Sequence, residues 1–317
     1  MKKILCVLMS CLLFVMAGCS GHSKNLKFGA ADIGGVYYSF ASTFTQLADK
    51  EIDGYTFETK TTAGSVANLR LISDGYIDLA IAQADLLSDA YNATGTFADK
   101  KYQKGYKAVA SLYTECCQIV VRKDSGITGI DDLINKTVSV GASESGSEKN
   151  AEQILKMSGI TDELINKVNM DYTEAAEKLK AGEIDAFFCT AGTRTEVIGQ
   201  LSKECDICLI SLDDKCIDKM LSAYSLCEKY TIPAGTYNGQ DSDVTTIGVK
   251  AVLIAKQSLS DDVIKNVTKT IYEHADDFKY ATSLDISFDI NTAADGVDIP
   301  FHSGAAAYYT ERGINVL

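Results

Sequence analysis

Histidine is scarce in this chain: His22, His274 and His302 are the three present, and none belongs to an HExxH pair or a histidine-rich cluster. A histidine-based metal centre of the metalloprotease kind is therefore not written into the sequence. The GxSxG elbow of serine hydrolases is missing as well, which removes the commonest acyl-transfer signature. Basic residues are also in deficit, with 30 Lys+Arg against 43 Asp+Glu and a net charge of −13. Nucleic acid is excluded as a partner, because no basic surplus exists to release counterions from phosphates. A second CxxC pair is lacking too. Cys205-x-x-Cys208 stands without one and without a nearby histidine, so no zinc set is completed. Structural thiols, a local disulfide and, least, a metal or redox site remain open for it. No cofactor motif is found: Gly34-Gly35 lacks dinucleotide-fingerprint spacing, and Gly146-Ser147 is not followed by the Lys-Ser/Thr of a phosphate loop.

The N-terminus carries most of what is present. Lys2 and Lys3 precede an apolar run from Ile4 to Val15, and Met16-Ala17-Gly18-Cys19 has the small residues of a lipobox. The run is shorter than the roughly 20 residues of a spanning helix. Residues 1–18 therefore read as an export signal, Cys19 as the lipidated first residue of the mature chain, and residues 19–26 as a flexible tether. This predicts an extracytoplasmic protein anchored to the membrane by lipid. Residues 1–18 hold two lysines and no acids, so 28 basic residues then face 43 acidic ones and the net charge falls to −15. The remaining ~300 residues suffice for a large core, commonly split into two lobes.

Local patterning alternates strand and helix. Strands are expected at 27–31, 55–61 and 77–82, with helices at 36–50 and through Asn68 to Ile72; the alternation predicts an α/β fold with a parallel sheet. The same grammar recurs between Cys117 and Leu212, with strands at 118–121, 137–140, 184–189 and 207–211 and helices at 148–157 and 175–181. Asp74-Gly75-Tyr76-Ile77-Asp78 leads through an apolar strand to Gln83, and Ala181-Gly182-Glu183-Ile184-Asp185 leads through another to Thr190. Each polar residue falls at the carboxyl end of its strand, where open α/β sheets bind ligands. Two lobes built alike would then face each other across a cleft.

Three small-residue turns precede expected helices: Gly34-Gly35, Gly64-Ser65 and Ser145-Gly146-Ser147. First-turn N–H groups lack intrahelical acceptors and sit at the positive end of the helix dipole, so such turns hold small anions. Ordinary N-capping is the competing explanation for any one of them. Arg194, just after the second strand, offers a fork for a carboxylate. Tyr37, Tyr38 and Tyr113 offer a ring face and a hydroxyl beside the expected cleft, partial core burial being the alternative. Asp78 and Asp185 begin their strands at the far end and are expected to be structural.

Ile33-Gly34-Gly35-Val36-Tyr37-Tyr38, Gly64-Ser65-Val66-Ala67-Asn68-Leu69-Arg70, Ala82-Gln83-Ala84-Asp85 and Ser139-Val140-Gly141-Ala142 resemble, in this order, the TAXI family of TRAP-transporter solute receptors. Thr231-Ile232-Pro233-Ala234-Gly235-Thr236-Tyr237 and Ile299-Pro300-Phe301-His302-Ser303-Gly304 are similar as well. The resemblance implies a two-lobed type II periplasmic-binding-protein fold, with one lobe from 27–114 and 251–317 and the other from 115–250. It implies a receptor, not an enzyme, that hands a small carboxylate, a glutamate- or glutamine-like amino acid or an oxo-acid, to TRAP permease subunits driven by an ion gradient. The binding residues so implied are Gly35, Tyr37, Ser65, Gln83, Tyr113, Ser145, Gly146 and Ser147. Thr190 is added from the internal echo, and Arg194 from its place after the strand. The chain departs from the family pattern at Arg194 and at Cys116-Cys117, both of which bear on solute preference. A surface lipoprotein sensor and a carboxylate-based hydrolase using the same cleft are the alternatives.

Overall fold

The computed structural model describes residues 23–99, 102, 105–283 and 288–316; the signal segment and Cys19 lie outside them. The first elements are β1 (Lys24–Gly29), α1 (Val36–Glu51), β2 (Tyr55–Lys60), α2 (Ser65–Ser73), β3 (Leu79–Gln83) and α3 (Ala84–Asn92). β1 is flanked in parallel by β2 and β3. It begins at Lys24, so Lys24, Asn25 and Leu26, expected in the tether, are already paired with Tyr55, Thr56 and Phe57. Two long strands pair with strands of both lobes: β4 (Tyr106–Arg122) and, much later in the chain, β10 (Val244–Lys256). Between them lie β5 (Thr137–Ser139), α4 (Gly146–Met157), β6 (Asn166–Val168), α5 (Tyr172–Ala181), β7 (Ala186–Ala191), α6 (Glu196–Glu204), β8 (Ile207–Leu209), α7 (Asp214–Ala223) and β9 (Cys227–Ile232). Helices α8 (Asp261–Glu273), α9 (Ala275–Thr282) and α10 (Ser303–Thr310) close the described chain. No helix among the described residues is long and apolar enough to cross a membrane.

The strand order is β2-β1-β3-β10-β4-β7-β5-β6, with β8 added to β4 and β9 to β10. The expected parallel sheet is therefore mixed. Strands β1–β3 are parallel in one lobe and β5–β7 in the other, but β4 and β10 run antiparallel to their neighbours. The reason is that these two strands carry the chain across the joint. The late half of β10 pairs with β3 and its early half with β9, while the late half of β4 pairs with β7 and β8. Two irregularities in the β10–β4 register, at Ala251/Val252 and Leu253/Ile254, fall in the middle of the crossing.

The internal echo has a structural meaning. In the first lobe the Asp78 carboxylate accepts from Lys27 N at 2.9 Å, and in the second Asp185 accepts from Thr137 N at 2.8 Å. Each aspartate thus ties the start of its strand to the neighbouring one. At the opposite strand ends, Ser65 Oγ accepts from Gln83 N at 3.1 Å and Ser147 Oγ from Thr190 N at 2.8 Å. One serine at the head of a helix therefore fixes the polar strand-end residue in each lobe.

One apolar cluster joins Phe28, Phe40, Phe44, Ile81, Leu253 and Ile264, with Phe40 stacked on Phe278 at 4.4 Å. A second gathers Ile119, Val138, Ile154, Phe188 and Met220 in the other lobe. Leu179 and Phe187 of the second lobe belong to the first cluster, so apolar packing continues across the joint. The last helix is packed through glycine: a Cβ on Gly304 would overlap the Asp261 carbonyl oxygen and lie 2.9 Å from its Cα. This obstacle is backbone and cannot swing away. Gly304→Ala should therefore cost about 1–3 kcal/mol, read as a lower urea midpoint at unchanged slope; an unaltered midpoint would show that α8 and α10 separate freely.

Candidate functional site

Three helices begin at a single cavity. α1 starts after Gly35, α2 after Gly64 and α4 after Ser145. Small residues stand there because the lobes meet closely. Gly64 has φ +115° and ψ −150°, a conformation open essentially to glycine alone, and a Cβ on it would sit 3.5 Å from Ser145 Cα of the opposite lobe. A Cβ on Gly146 would lie 2.5 Å from Gln83 Cδ and 2.7 Å from its Nε2. Beside this contact, Ala67 N donates to Glu144 O at 3.0 Å, and Arg70 grips the Glu144 carboxylate with Nε at 3.1 Å and Nη2 at 2.6 Å. The lobes are thus joined by backbone, by an ion pair and by glycine packing.

The cavity is small, about 30 Å³ with the lobes against each other, room for a water or two. From the first lobe it is lined by Gly35, Tyr37, Ser65 and Gln83, and from the second by Ser145, Gly146, Ser147 and Thr190. All eight were singled out in the sequence. Tyr113 is buried and neighbours Glu115 and Tyr37, but it does not line the cavity. Arg194 is exposed, with φ +65°, and is not brought to the cavity. A left-handed loop position turns its side chain to solvent, so the expected carboxylate fork is absent from this wall.

Three lining residues with polar side chains escaped the sequence: Asp32, Glu115 and Tyr172. Glu115 is 2% exposed. Its Oε2 accepts the Tyr37 hydroxyl at 2.9 Å. Burial pushes its carboxyl up to about 8, Asp85 nearby adds to this, and hydrogen bonds from Tyr37 and Gln83 oppose it. Asp32 is raised to about 6 by burial and by Asp171. Tyr172, the first residue of α5, donates to Thr190 O at 3.0 Å and sits 2.6 Å from Ser147 Oγ. Since Ser147 Oγ already accepts from Thr190 N, its own proton goes to Tyr172. Ser65 Oγ and Ser147 Oγ thus each hold the strand-end N–H of their own lobe, and first-turn backbone N–H groups and the Ser145 hydroxyl are among the donors left at this wall.

Two buried polar atoms in the wall are unmatched. Gln83 Oε1 has no hydrogen-bond partner, and Thr190 Oγ1 makes no bond of ordinary geometry, with the Cys117 thiol beside it. Buried polar groups are nearly always paired, and these two stand without a partner at the cavity wall. The seven described cysteines are free thiols; Cys116, Cys117 and Cys189 are buried, with their protons held by burial.

The architecture is that of solved two-lobed binding proteins. PhnD1 from Prochlorococcus marinus in complex with methylphosphonate superposes with a TM-score of 0.59 at 12% identity, over 84% of this chain and 93% of that one. The periplasmic binding protein BugD gives a TM-score of 0.56 at 11% identity, over 81% of this chain and 85% of that one. An ancestral arginine-binding protein bound to arginine gives 0.51 at 16% identity, over 83% and 98%. At these identities the likeness is one of fold. Sequence places the chain more narrowly: residues 28–313 match the model of the NMT1-like family, and the protein belongs to that family.

Proposed function

We propose that the protein is an extracytoplasmic solute-binding receptor, held at the membrane by lipid on Cys19, that delivers a small carboxylate to an ion-gradient-driven TRAP permease. Its lobes are 27–114 with 251–317, and 115–250, hinged on β4 and β10. The observation that carries this is the convergence of three helix N-termini, from both lobes, on one buried cavity with unmatched polar atoms. Positive helix ends and unpaired N–H groups favour a carboxylate there, and they act locally where the distant acidic surface is screened by salt. Gln83 and Thr190, at corresponding strand ends of the two lobes, read the remaining polar groups. A solute touching both walls draws the lobes together, and the closed outer surface is what the permease recognises. Nothing in this arrangement requires the solute to be changed chemically.

The test is the melting temperature of the mature, unlipidated protein against amino acids, oxo-acids and dicarboxylates. A true solute at 100 times its dissociation constant adds about 2.7 kcal/mol, and should be recovered intact. A consumed solute would make the protein an enzyme, and no shift with any carboxylate would remove the anion-site argument.

A further inference from the structure

We propose that a short tether holds the pole of the first lobe, where β1 begins, against the lipid bilayer, with the Tyr76 ring seated among the headgroups. The inference rests on the lipid anchor at Cys19 and says how the receptor stands on the membrane that carries it.

The tether is shorter than the sequence alone suggests. Residues 19–26 were free for it, but β1 takes up Lys24, Asn25 and Leu26 as paired strand. Five peptide links then separate Cys19 from Lys24. Fully extended they span at most about 18 Å, so the start of β1 cannot leave the lipid surface by more than that. β1 has six residues and runs on to the cavity-lining Ala31 and Asp32. At ~3.3 Å per residue the cavity lies about 20 Å from this pole. The anchor therefore draws down the end of the first lobe that is remote from the cavity. The first lobe is the fixed one, and closure is a swing of the second lobe over it.

Turns make up this pole. Lys24 N donates to Gly54 O at 3.0 Å, and Gln257 N to Gly105 O at 2.8 Å. The turn from α2 into β3 lies beside them, since Lys256 N donates to Asp78 O at 2.9 Å. α2 ends in a glycine cap: Gly75 has φ +82°, its N–H donates to Ile72 O at 3.2 Å, and the Tyr76 N–H donates to Leu71 O at 2.9 Å. The residue after such a glycine commonly packs back on the last turn of its helix. Tyr76 does not: it is 65% exposed, and Ile77 is buried in its place. The backbone beneath the ring is braced, because Lys256 Nζ donates to Gly75 O at 2.9 Å and to Asp78 Oδ1 at 2.8 Å. An aromatic ring with a polar tip is the side chain that settles at a membrane–water boundary. Lys24 and Lys27 on β1 and Asp53 and Asp74 in the adjoining turns are exposed with opposite charges, so the lipid on Cys19, not charge, supplies the attraction.

Tyr280 is the internal control. It is 89% exposed, but α9 rises away from the pole: His274 at its start meets Glu51 at 2.5 Å, and Phe278 stacks on Phe40. Phe40 precedes Glu51 by eleven residues of α1, about 16 Å of helix.

The lipidated chain is placed on vesicles of phosphatidylethanolamine and phosphatidylglycerol. It is compared, by hydroxyl-radical footprinting read by mass spectrometry, with the unlipidated chain mixed with the same vesicles. Tyr76 should be oxidised at least ~5-fold more slowly in the anchored protein, while Tyr280 changes by less than ~2-fold. A flexible spacer of about 20 Gly and Ser residues between Ser23 and Lys24 should return Tyr76 to the unlipidated rate. Equal oxidation of Tyr76 in the two forms, or equal protection of Tyr280, overturns the inference and leaves solute binding standing. Protection that survives the spacer overturns the part given to the tether. A mature chain without lipid on Cys19, seen in the same spectra, overturns the anchor and the inference together.

Discussion

Replacing Gly146 by leucine should leave the unliganded protein folded and lower its affinity for solute by about 100-fold or more. Gly146 is the first residue of α4, where a side chain is tolerated by the helix itself. The obstacle lies in the other lobe, where a Cβ would meet the Gln83 side chain at 2.5–2.7 Å. Gln83 is 1% exposed and its N–H is pinned by Ser65 Oγ, so it has little room to retreat. Overpacking of this kind costs about 1–3 kcal/mol and occasionally more, and a leucine brings three carbons beyond the Cβ. The whole cost falls on the form in which the lobes meet, so it subtracts directly from binding. Calorimetric titration gives the affinity, small-angle scattering the compaction on adding solute, and a thermal melt without solute the integrity of the fold. Full compaction at wild-type affinity would show that the Gly146–Gln83 contact is not part of the bound state.

Glu115→Gln should make the unliganded protein more stable at neutral pH by about 3 kcal/mol, and hardly alter it at pH 4. The folded carboxyl is held at about 8, against an ordinary value of 4.5. Between those two values the folded chain keeps a proton that the unfolded chain has released. Stability of the wild type therefore falls as pH rises through that window, at up to 1.36 kcal/mol per unit. Glutamine has no proton to keep and still accepts the Tyr37 hydroxyl. Asp32 and Asp85, each raised to about 6, act in the same direction but are present in both proteins and cancel in the difference. Urea unfolding of the two proteins at pH 4 and pH 7.5 measures the effect. An equal difference at both pH values would mean that Glu115 is ionised in the folded state.

The helix heads of the site were legible because their signals are local. A Gly or Ser turn ahead of an amphipathic run is written within a few residues, and α1, α2 and α4 each begin within or directly after the turn expected to precede them. Glu115 was hidden because one carboxylate beside Thr114 and Cys116 reads as a surface position on a strand. The usable signal was alternation: Tyr113 and Glu115 share a face of β4, so a tyrosine placed near the cleft draws the glutamate with it. Tyr172 offered no such clue, since its contacts with Ser147 and Thr190 are made only by folding. The mixed sheet was missed for a related reason. Local alternation of strand and helix describes each lobe, but β10 finds its partners β3 and β4 far back along the chain. The Arg194 expectation failed on conformation, which residue type does not reveal.

The late arrival of β10 has a consequence for how the molecule is made. Strands β5, β6 and β7 follow one another within one stretch of chain and can pair as soon as that stretch is free to fold. β3 pairs on one side with β1, but the edge that takes Val252 against Ala82 stays open until nearly the whole chain exists. For that interval an apolar strand with unpaired backbone groups is exposed, the form most prone to join another chain. The second lobe should therefore mature first. The first lobe depends on being kept apart from its neighbours until its missing strand has arrived.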